Sequence, residues 1–454
     1  MKQLLLAGLA AACCLPMAAN TLYSADTLGE VVSVSRNGKY VAVADNADNL
    51  AYLWNIDNPT EFKDINAEGQ ALALCVSNDG IAAGATFNAK TGKYTPAYYK
   101  DGEWHALPVH AAVMYEAYAV AINDDASIIG GYQFISDATS EIKGRYYPCR
   151  WIRKDNVEGE AEPVYELECY IDIELPDHQG FITTCMSKDG NILGGRLFCG
   201  AGSMIPAIIK DGKLIYWNEL EERTEPFEFK GEIIGYFTAY YIDGYHDGAT
   251  GEYFVGEFAS VDNDGNFYGA RTIASNVNED GRGKLTQYGC IYNSNTGEFT
   301  DIASPNYVSV GVAGGKVFFS RDAAVVEDGQ QSTVGAKFNV TAPKSIFGIS
   351  STSADGKTLG GILYEIHPAT GEYMYYPFAI VLDEPLVSGV DEIINTESDA
   401  KILLSAGRID VIGAEEVAVY DLNGSLVSTS ATSHVAPGVY VVKAGKSASK
   451  VIVK

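Results

Sequence analysis

The chain has 454 residues, enough for a large repeat array with an appendage, and 47% hydrophobic against 20% charged residues excludes wholesale disorder. With 59 acids against 32 lysines and arginines the formal charge is −27, which repels polyphosphate and anionic membrane surfaces and excludes nucleic acid as an expected partner. The same charge suits a soluble, monomeric exported protein.

The first 19 residues read as a secretion signal. Lys2 is the positive start, Leu4 to Leu15 the apolar run, and Met17-Ala18-Ala19 the small-residue cleavage site before Asn20. Cys13 and Cys14 raise lipid modification as an alternative, but Ala10-Ala11-Ala12 lacks the leucine that a lipobox carries three residues before its cysteine. Beyond Asn20 no apolar run approaches the ~20 residues that cross a bilayer, so no integral membrane segment is expected. The expected location is secreted or anchored on the outer surface.

A repeat organises the body. SRNGKYVAVA from Ser35, SNDGIAAGA from Ser77, NDDASIIGG from Asn123, SKDGNILGG from Ser187, DNDGNFYGA from Asp262 and SADGKTLGG from Ser353 share one pattern. A polar cluster closes on a turn residue, usually Gly, then come apolar residues and a small pair such as Gly194-Gly195. Asn-Gly and Asp-Gly tolerate positive φ, so each copy predicts strand, tight turn, strand. VAGGKVFFS, with Gly315 at its turn, is a seventh and degraded copy. The turn residues Gly38, Gly80, Ala126, Gly190, Gly265, Gly315 and Gly356 are spaced by 42, 46, 64, 75, 50 and 41 residues, and the shortest spacings match one propeller blade.

Five residues before the turns stand Ser33, Cys75, Ala121, Cys185, Ser260, Val310 and Ser351. Nearly all are small, as crowding at a propeller axis demands. A further strand follows each hairpin: Pro96-Ala97-Tyr98-Tyr99, Pro148-Cys149-Arg150-Trp151, Pro206-Ala207-Ile208-Ile209, Gly289-Cys290-Ile291-Tyr292 and Gly335-Ala336-Lys337-Phe338. From Val31 to about Asp383 this pattern resembles the extracellular repeats of exported bacterial proteins named for a His-Ala-Phe signature, although that triplet is absent here. The resemblance implies a β-propeller and no particular activity.

The 64- and 75-residue spacings place insertions in the third and fourth units, and such insertions often carry a repeat protein's binding surface. The second holds Tyr236, Tyr240, Tyr241, Tyr245 and Tyr253 among glycines, rings on flexible backbone that suit stacking on a sugar or peptide. They are the candidate ligand-binding residues; the bland alternative is packing on the outer strands of a widened blade.

After Glu384-Pro385 a polar stretch marks a linker over 386–400, and 401–454 alternate short strands with turns, as in a small antiparallel sandwich. Tyr420, Asn423 and Gly424 in VAVYDLNG, Gly438 and Tyr440 in PGVYVVK, and Lys454 at the end of KVIVK match the pattern of the type A sorting domain of the type IX secretion system. That resemblance implies a partner in the export machinery and a tail removed, or exchanged for an anchor, near the linker.

Catalytic and metal signals are sparse. His105, His110, His178, His246, His367 and His434 show no ligand spacing, Asp262-Asn263-Asp264-Gly265 reads as a turn rather than a calcium loop, and no nucleophile elbow, P-loop or dinucleotide fingerprint is present. No cofactor or metal is expected. Cys75, Cys149, Cys185 and Cys290 fall at small-residue positions, leaving Cys169 and Cys199 as the pair that an oxidising compartment permits to bridge.

The sequence thus predicts an all-β protein: a seven-bladed propeller over 20–385, with six or eight blades as alternatives, and a C-terminal sandwich. The expected function is non-catalytic binding of a glycan or protein through the propeller loops. A propeller-fold polysaccharide-degrading enzyme is the alternative, marked by facing carboxylates in the central funnel, and a structural surface-layer component is the second.

Overall fold

The computed structural model describes residues 20–453 except 46, 67–69, 137–143, 155–162, 174–179, 199–203, 218–219, 230, 243–255, 277–283, 303–307, 313–316, 321, 328, 387–391, 396–400, 406, 415, 422–424, 437 and 446. Apart from one short helix, Val334–Phe338, the elements among these residues are β-strands.

Seven four-stranded antiparallel sheets follow one another among the described residues, over 30–64, 70–106, 113–169, 181–216, 257–302, 310–333 and 345–381, here sheets 1 to 7. Each of the first six is a simple meander. Sheet 7 takes its outermost strand from the other end of the chain: Thr21–Ser24 pairs with Tyr373–Val381. The arrangement is propeller-like, because the first strand of every sheet lines one central cavity of about 150 Å³.

The repeated turns explain the hairpins. In six of them the turn residue has positive φ, from 56° at Ala126 to 79° at Gly80. The first polar residue of each is buried and its side chain accepts from a backbone amide on the returning strand, at 2.9 to 3.1 Å: Ser35 from Tyr40, Ser77 from Ile81, Asn123 from Ile128, Ser187 from Ile192, Asp262 from Asn266, Ser353 from Thr358. Burial of a polar side chain is thereby balanced by a bond that only the turn geometry provides. Asp262 also accepts from Asp264 N, from Asn266 Nδ2 and from the Tyr268 hydroxyl, so it serves the hairpin.

All seven residues at the position five before the turn, from Ser33 to Ser351, line the central cavity. The glycine pairs do two different jobs. The inner strand carries a register shift in sheets 1 to 5 and 7, and in sheets 2 to 5 a glycine sits beside it: a Cβ at Gly84, Gly131, Gly195 or Gly269 would lie 1.8 to 2.0 Å from a carbonyl oxygen of that strand. The first glycine makes room for the next sheet; a Cβ at Gly194 would meet Phe267 at 2.7 Å.

Sheet 6 departs from the expected reading. Its strands are Val310–Val312, Val317–Phe319, Ala324–Glu327 and Gln330–Thr333, and its first turn, with Gly315, lies outside the described residues. Gly335-Ala336-Lys337-Phe338 is not a strand but falls in the helix, where the Thr333 side chain accepts from Ala336 N and Asn339 closes the turn in the left-handed region. The third strand, Ala324–Glu327, pairs with the second and the fourth, Gln330–Thr333, with the third, so the sheet is complete before this segment is reached.

The C-terminal unit has two four-stranded antiparallel sheets around Ile402, Leu404, Ile409, Val419, Val442 and Val451. Its first strand, Glu392–Asn395, pairs with Lys401–Ser405. That strand lies within the stretch read from composition as a linker; its short polar-flanked text hides an Ile-Ile pair that finds a partner only in three dimensions.

Candidate functional site

In a meander of four strands, the connection into the first strand and the one between the second and third lie at the same end. The connection from Lys154 to Val164 leaves from the turn end, but the strand ends Cys169 and Phe181, Tyr216 and Glu257, and Ser275 and Lys284, which flank three other long connections, lie at the end opposite the repeated turns. The opposite end is closed by Arg36, which reaches from sheet 1 to Asn263 Oδ1 on sheet 5 at 2.6 Å and lies 3.5 Å from Asp124 Oδ1 on sheet 3.

At the open end the first strands of sheets 1 and 5 begin with Glu30 and Glu257. Both line one cavity of about 440 Å³, with Thr184, Ser309, Phe347 and Tyr375. Glu257 is 7% exposed and accepts from Nη1 of Arg196, on sheet 4, at 3.1 Å. Arg196 Nε is buried with no hydrogen-bond partner, a donor whose desolvation a ligand oxygen would offset.

Beside this mouth a ladder of rings crosses three sheets. Centroids step by 4.8 Å from Phe87 to Tyr94, 5.1 Å to Tyr118, 5.4 Å to Tyr132, 5.7 Å to Tyr146 and 5.9 Å to Phe198, spacings at which aromatic pairs attract. Tyr118 donates to Glu116 Oε2 at 3.2 Å and Tyr146 donates to Oε1, so one carboxylate holds two rungs. Burial and then Glu116 push the Tyr118 and Tyr132 hydroxyls up; burial and the bond to Glu116 push Tyr146 up to about 12. The positive charge of Arg196 opposes the shift at Tyr132 and Tyr146. Across the mouth, sheet 7 carries a second group: Phe347, Tyr364, Tyr373 and Tyr375. Tyr373 is 59% exposed, and with Glu30 and Tyr375 it borders a further cavity of about 470 Å³.

Of the tyrosines expected to bind ligand, Tyr236, Tyr240 and Tyr241 lie on Glu232–Ile242, which pairs with Leu220–Phe229 as a two-stranded hairpin between sheets 4 and 5. It is a separate element rather than the outer strands of a blade. Tyr245 and Tyr253 lie outside the described residues. In the C-terminal unit Tyr420 is on Val417–Asp421, and Gly438 and Tyr440 are on the adjacent strand Gly438–Ala444, with the Tyr440 hydroxyl donating to Ala436 O at 2.8 Å. Asn423, Gly424 and Lys454 are outside the described residues. Cys169, like Cys149, is unbridged in this structure, and Cys199 is outside the described residues.

Sequence reasoning missed Glu30, Glu257, Arg196 and the ladder. One signal was available: Glu30 and Glu257 both stand eight residues before their turn glycines, Gly38 and Gly265, so a repeat alignment puts two acids at the same end of two inner strands.

No family model and no curated protein matches the sequence. Solved structures with a similar fold include a prolyl endopeptidase (12% identity, TM-score 0.41, covering 92% of this chain and 55% of that one). Others are TolB from Acinetobacter baumannii (9%, 0.34, 77% and 65%) and an oligogalacturonate lyase from Vibrio parahaemolyticus (12%, 0.32, 80% and 97%). The chain therefore spans little more than half the length of the prolyl endopeptidase. These likenesses concern fold alone. No helix among the described residues is long and apolar enough to cross a membrane.

Proposed function

We propose that this chain is an exported, seven-bladed propeller that cleaves a glycan at the open mouth. The observation that carries the reading is the pair Glu30 and Glu257, two carboxylates from well-separated sheets that line one cavity. Glycosidic cleavage needs two carboxyl groups, one to protonate the leaving oxygen and one to activate the attacking group. Aromatic residues on both sides of the mouth, the ladder on one and Tyr373 and Tyr375 on the other, offer stacking faces for successive sugar rings. The charge of −27 favours a neutral glycan over a polyanionic one.

A second reading, non-catalytic glycan binding, is favoured by one observation: Glu257 is already committed to Arg196 and Glu116 to two tyrosines. The experiment is a screen of neutral polysaccharides with released reducing ends as one readout and retention on the polymer as the other. Cleavage lost in both Glu30→Gln and Glu257→Gln, with retention kept, supports the enzyme. Retention without product in the wild type supports the binder, and neither signal overturns both.

The same proposal extends to the termini. Residues 1–19 act as the export signal and the C-terminal sandwich as a sorting tail, because its strand, turn and Gly-x-Tyr pattern resembles such domains. Deletion of 386–454 should leave the protein unable to reach the cell surface in a host with that machinery; unchanged surface display would sink the tail's role.

A further inference from the structure

We propose that Cys149 and Cys169 are joined by a disulfide in the exported protein. They are directly opposed on the third and fourth strands of sheet 3, Arg145–Lys154 and Val164–Cys169. Tyr170 N donates to Pro148 O at 3.1 Å, which makes 148 and 170 a hydrogen-bonded pair of the antiparallel ladder. The next pair, 149 and 169, is therefore of the non-hydrogen-bonded kind, in which opposed Cα atoms approach to about 4.5 Å and side chains leave from the same face. That separation lies inside the range a disulfide spans. Cys169 packs against the buried cluster that contains Cys149, Tyr98, Trp151 and Tyr165.

Neither sulfur has a strong competing bond. Cys149 Sγ accepts from Gln133 Nε2 at 3.5 Å, and Cys169 Sγ lies 3.9 Å from Pro148 O.

The other sheets provide an internal control. At the position of Cys149 stand Ala97, Ala207 and Cys290, and opposite them stand Ala106, Tyr216 and Asp301. A small residue is all that packing asks of the third strand, and nothing in the repeat asks for a cysteine on the fourth. Sheet 3 alone among these has a cysteine on both.

The bond forms by exchange with a disulfide-bearing oxidant such as a dithiol oxidase or oxidised glutathione. The Cys169 thiolate attacks the oxidant's disulfide and expels one of its thiolates. The Cys149 thiolate then attacks Cys169 Sγ and expels the second, so that the two cysteines give up two protons and two electrons and the oxidant leaves as thiols. Burial pushes the Cys169 thiol up to about 12 and the Cys149 thiol well above its usual range. In the packed sheet few thiolates exist, so the exchange belongs to folding after export, before the sheet is covered.

The test is peptide mapping, without reductant, of the full chain from an oxidising compartment, alkylated while denatured. The expected result is a cross-linked peptide joining Cys149 to Cys169, absent in Cys169→Ser and in Cys149→Ala, with the intact mass two hydrogens below the fully reduced value. Cys149→Ala introduces the residue that sheets 2 and 4 already tolerate there, so a folding failure of one variant leaves the other to decide. Full alkylation of both cysteines, or a peptide joining Cys169 to Cys199, would overturn the proposal.

Discussion

Arg196 of sheet 4 holds Glu257 of sheet 5 by a 3.1 Å ion pair at the mouth of the central cavity, and Arg196 is the more exposed partner. Removing the cation strands a carboxylate that is 7% exposed. A fully buried pair broken in this way costs about 3 to 5 kcal/mol, and the exposure of Arg196 reduces that. Arg196→Met should therefore lower unfolding free energy by roughly 2 kcal/mol in urea titration. Arg196→Lys should recover part of it. An unchanged midpoint in Arg196→Met would mean that the two sheets are not coupled through this pair.

The tyrosine ladder predicts alkaline lability. Tyr146 is raised to about 12 in the folded protein by burial and by its bond to Glu116, against about 10 in an unfolded chain. A raised folded value means that the folded state holds its proton longer. The stabilisation is complete below pH ~10 and is lost as pH climbs from there through about 12. Tyrosinate absorbance should show this group titrating late and with unfolding, and Tyr146→Phe should flatten stability across that window. Identical alkaline curves for variant and wild type would refute the link.

The glycine pairs predict an asymmetry within one motif. At Gly195 a Cβ would lie 2.0 Å from Ile182 O, which is backbone and cannot step aside; at Gly130 it would meet Met186 Sδ at 3.0 Å and Leu193 Cδ2 at 3.1 Å, the far ends of flexible side chains. Gly195→Ala should cost about 3 kcal/mol or prevent folding, and Gly130→Ala about 1 kcal/mol. Thermal or urea unfolding of the two single variants compares them directly. Equal costs would show that the inner strand's shift yields to the added methyl.

These glycines also mark what the sequence conveys and what it hides. The turn pattern is local chemistry: Ser187, Asp189 and Gly190 specify a hairpin by bonds within six residues, so six repeats are legible in the sequence, while the degraded copy at Gly315 has its turn outside the described residues. The small residues from Ser33 to Ser351 announced an axis because crowding leaves a compositional trace at a fixed offset. The mouth leaves only the shared offset of Glu30 and Glu257, eight residues before Gly38 and Gly265. Glu257 and Arg196 are 61 residues apart, and Tyr94, Tyr118, Tyr146 and Phe198 belong to three sheets that meet only when successive repeats pack against one another. Twenty-nine tyrosines gave no means of choosing among them, and the glycine-flanked run at 236–253 drew attention by density rather than by position. The helix at Val334–Phe338 misled for the opposite reason: its Gly-Ala-Lys-Phe copies the strand pattern locally, while the strands that fill sheet 6 had already been supplied.

The strand Thr21–Ser24 is the sole contribution of the described N-terminus to sheet 7, and its register runs from Thr21 opposite Val381 to Ser24 opposite Phe378. Asn20 reinforces it, donating from Nδ2 to Phe338 O at 2.8 Å and accepting from Asp383 N at 3.1 Å. Removing residues 20–25 exposes the edge of Tyr373–Val381, a row of unpaired backbone groups that invites pairing with another chain. At about 0.5 to 1.5 kcal/mol for each backbone hydrogen bond lost, the expected destabilisation is roughly 2 to 5 kcal/mol. It should appear as a lower urea midpoint and as dimers or aggregates in light scattering. A synthetic peptide of residues 20–28 supplied in trans should restore the midpoint and disperse the aggregates, because strand addition rebuilds the same ladder. Full stability of the truncated chain without peptide would mean that the seven sheets hold together through their packed faces alone and that the N-terminal strand only decorates the last of them.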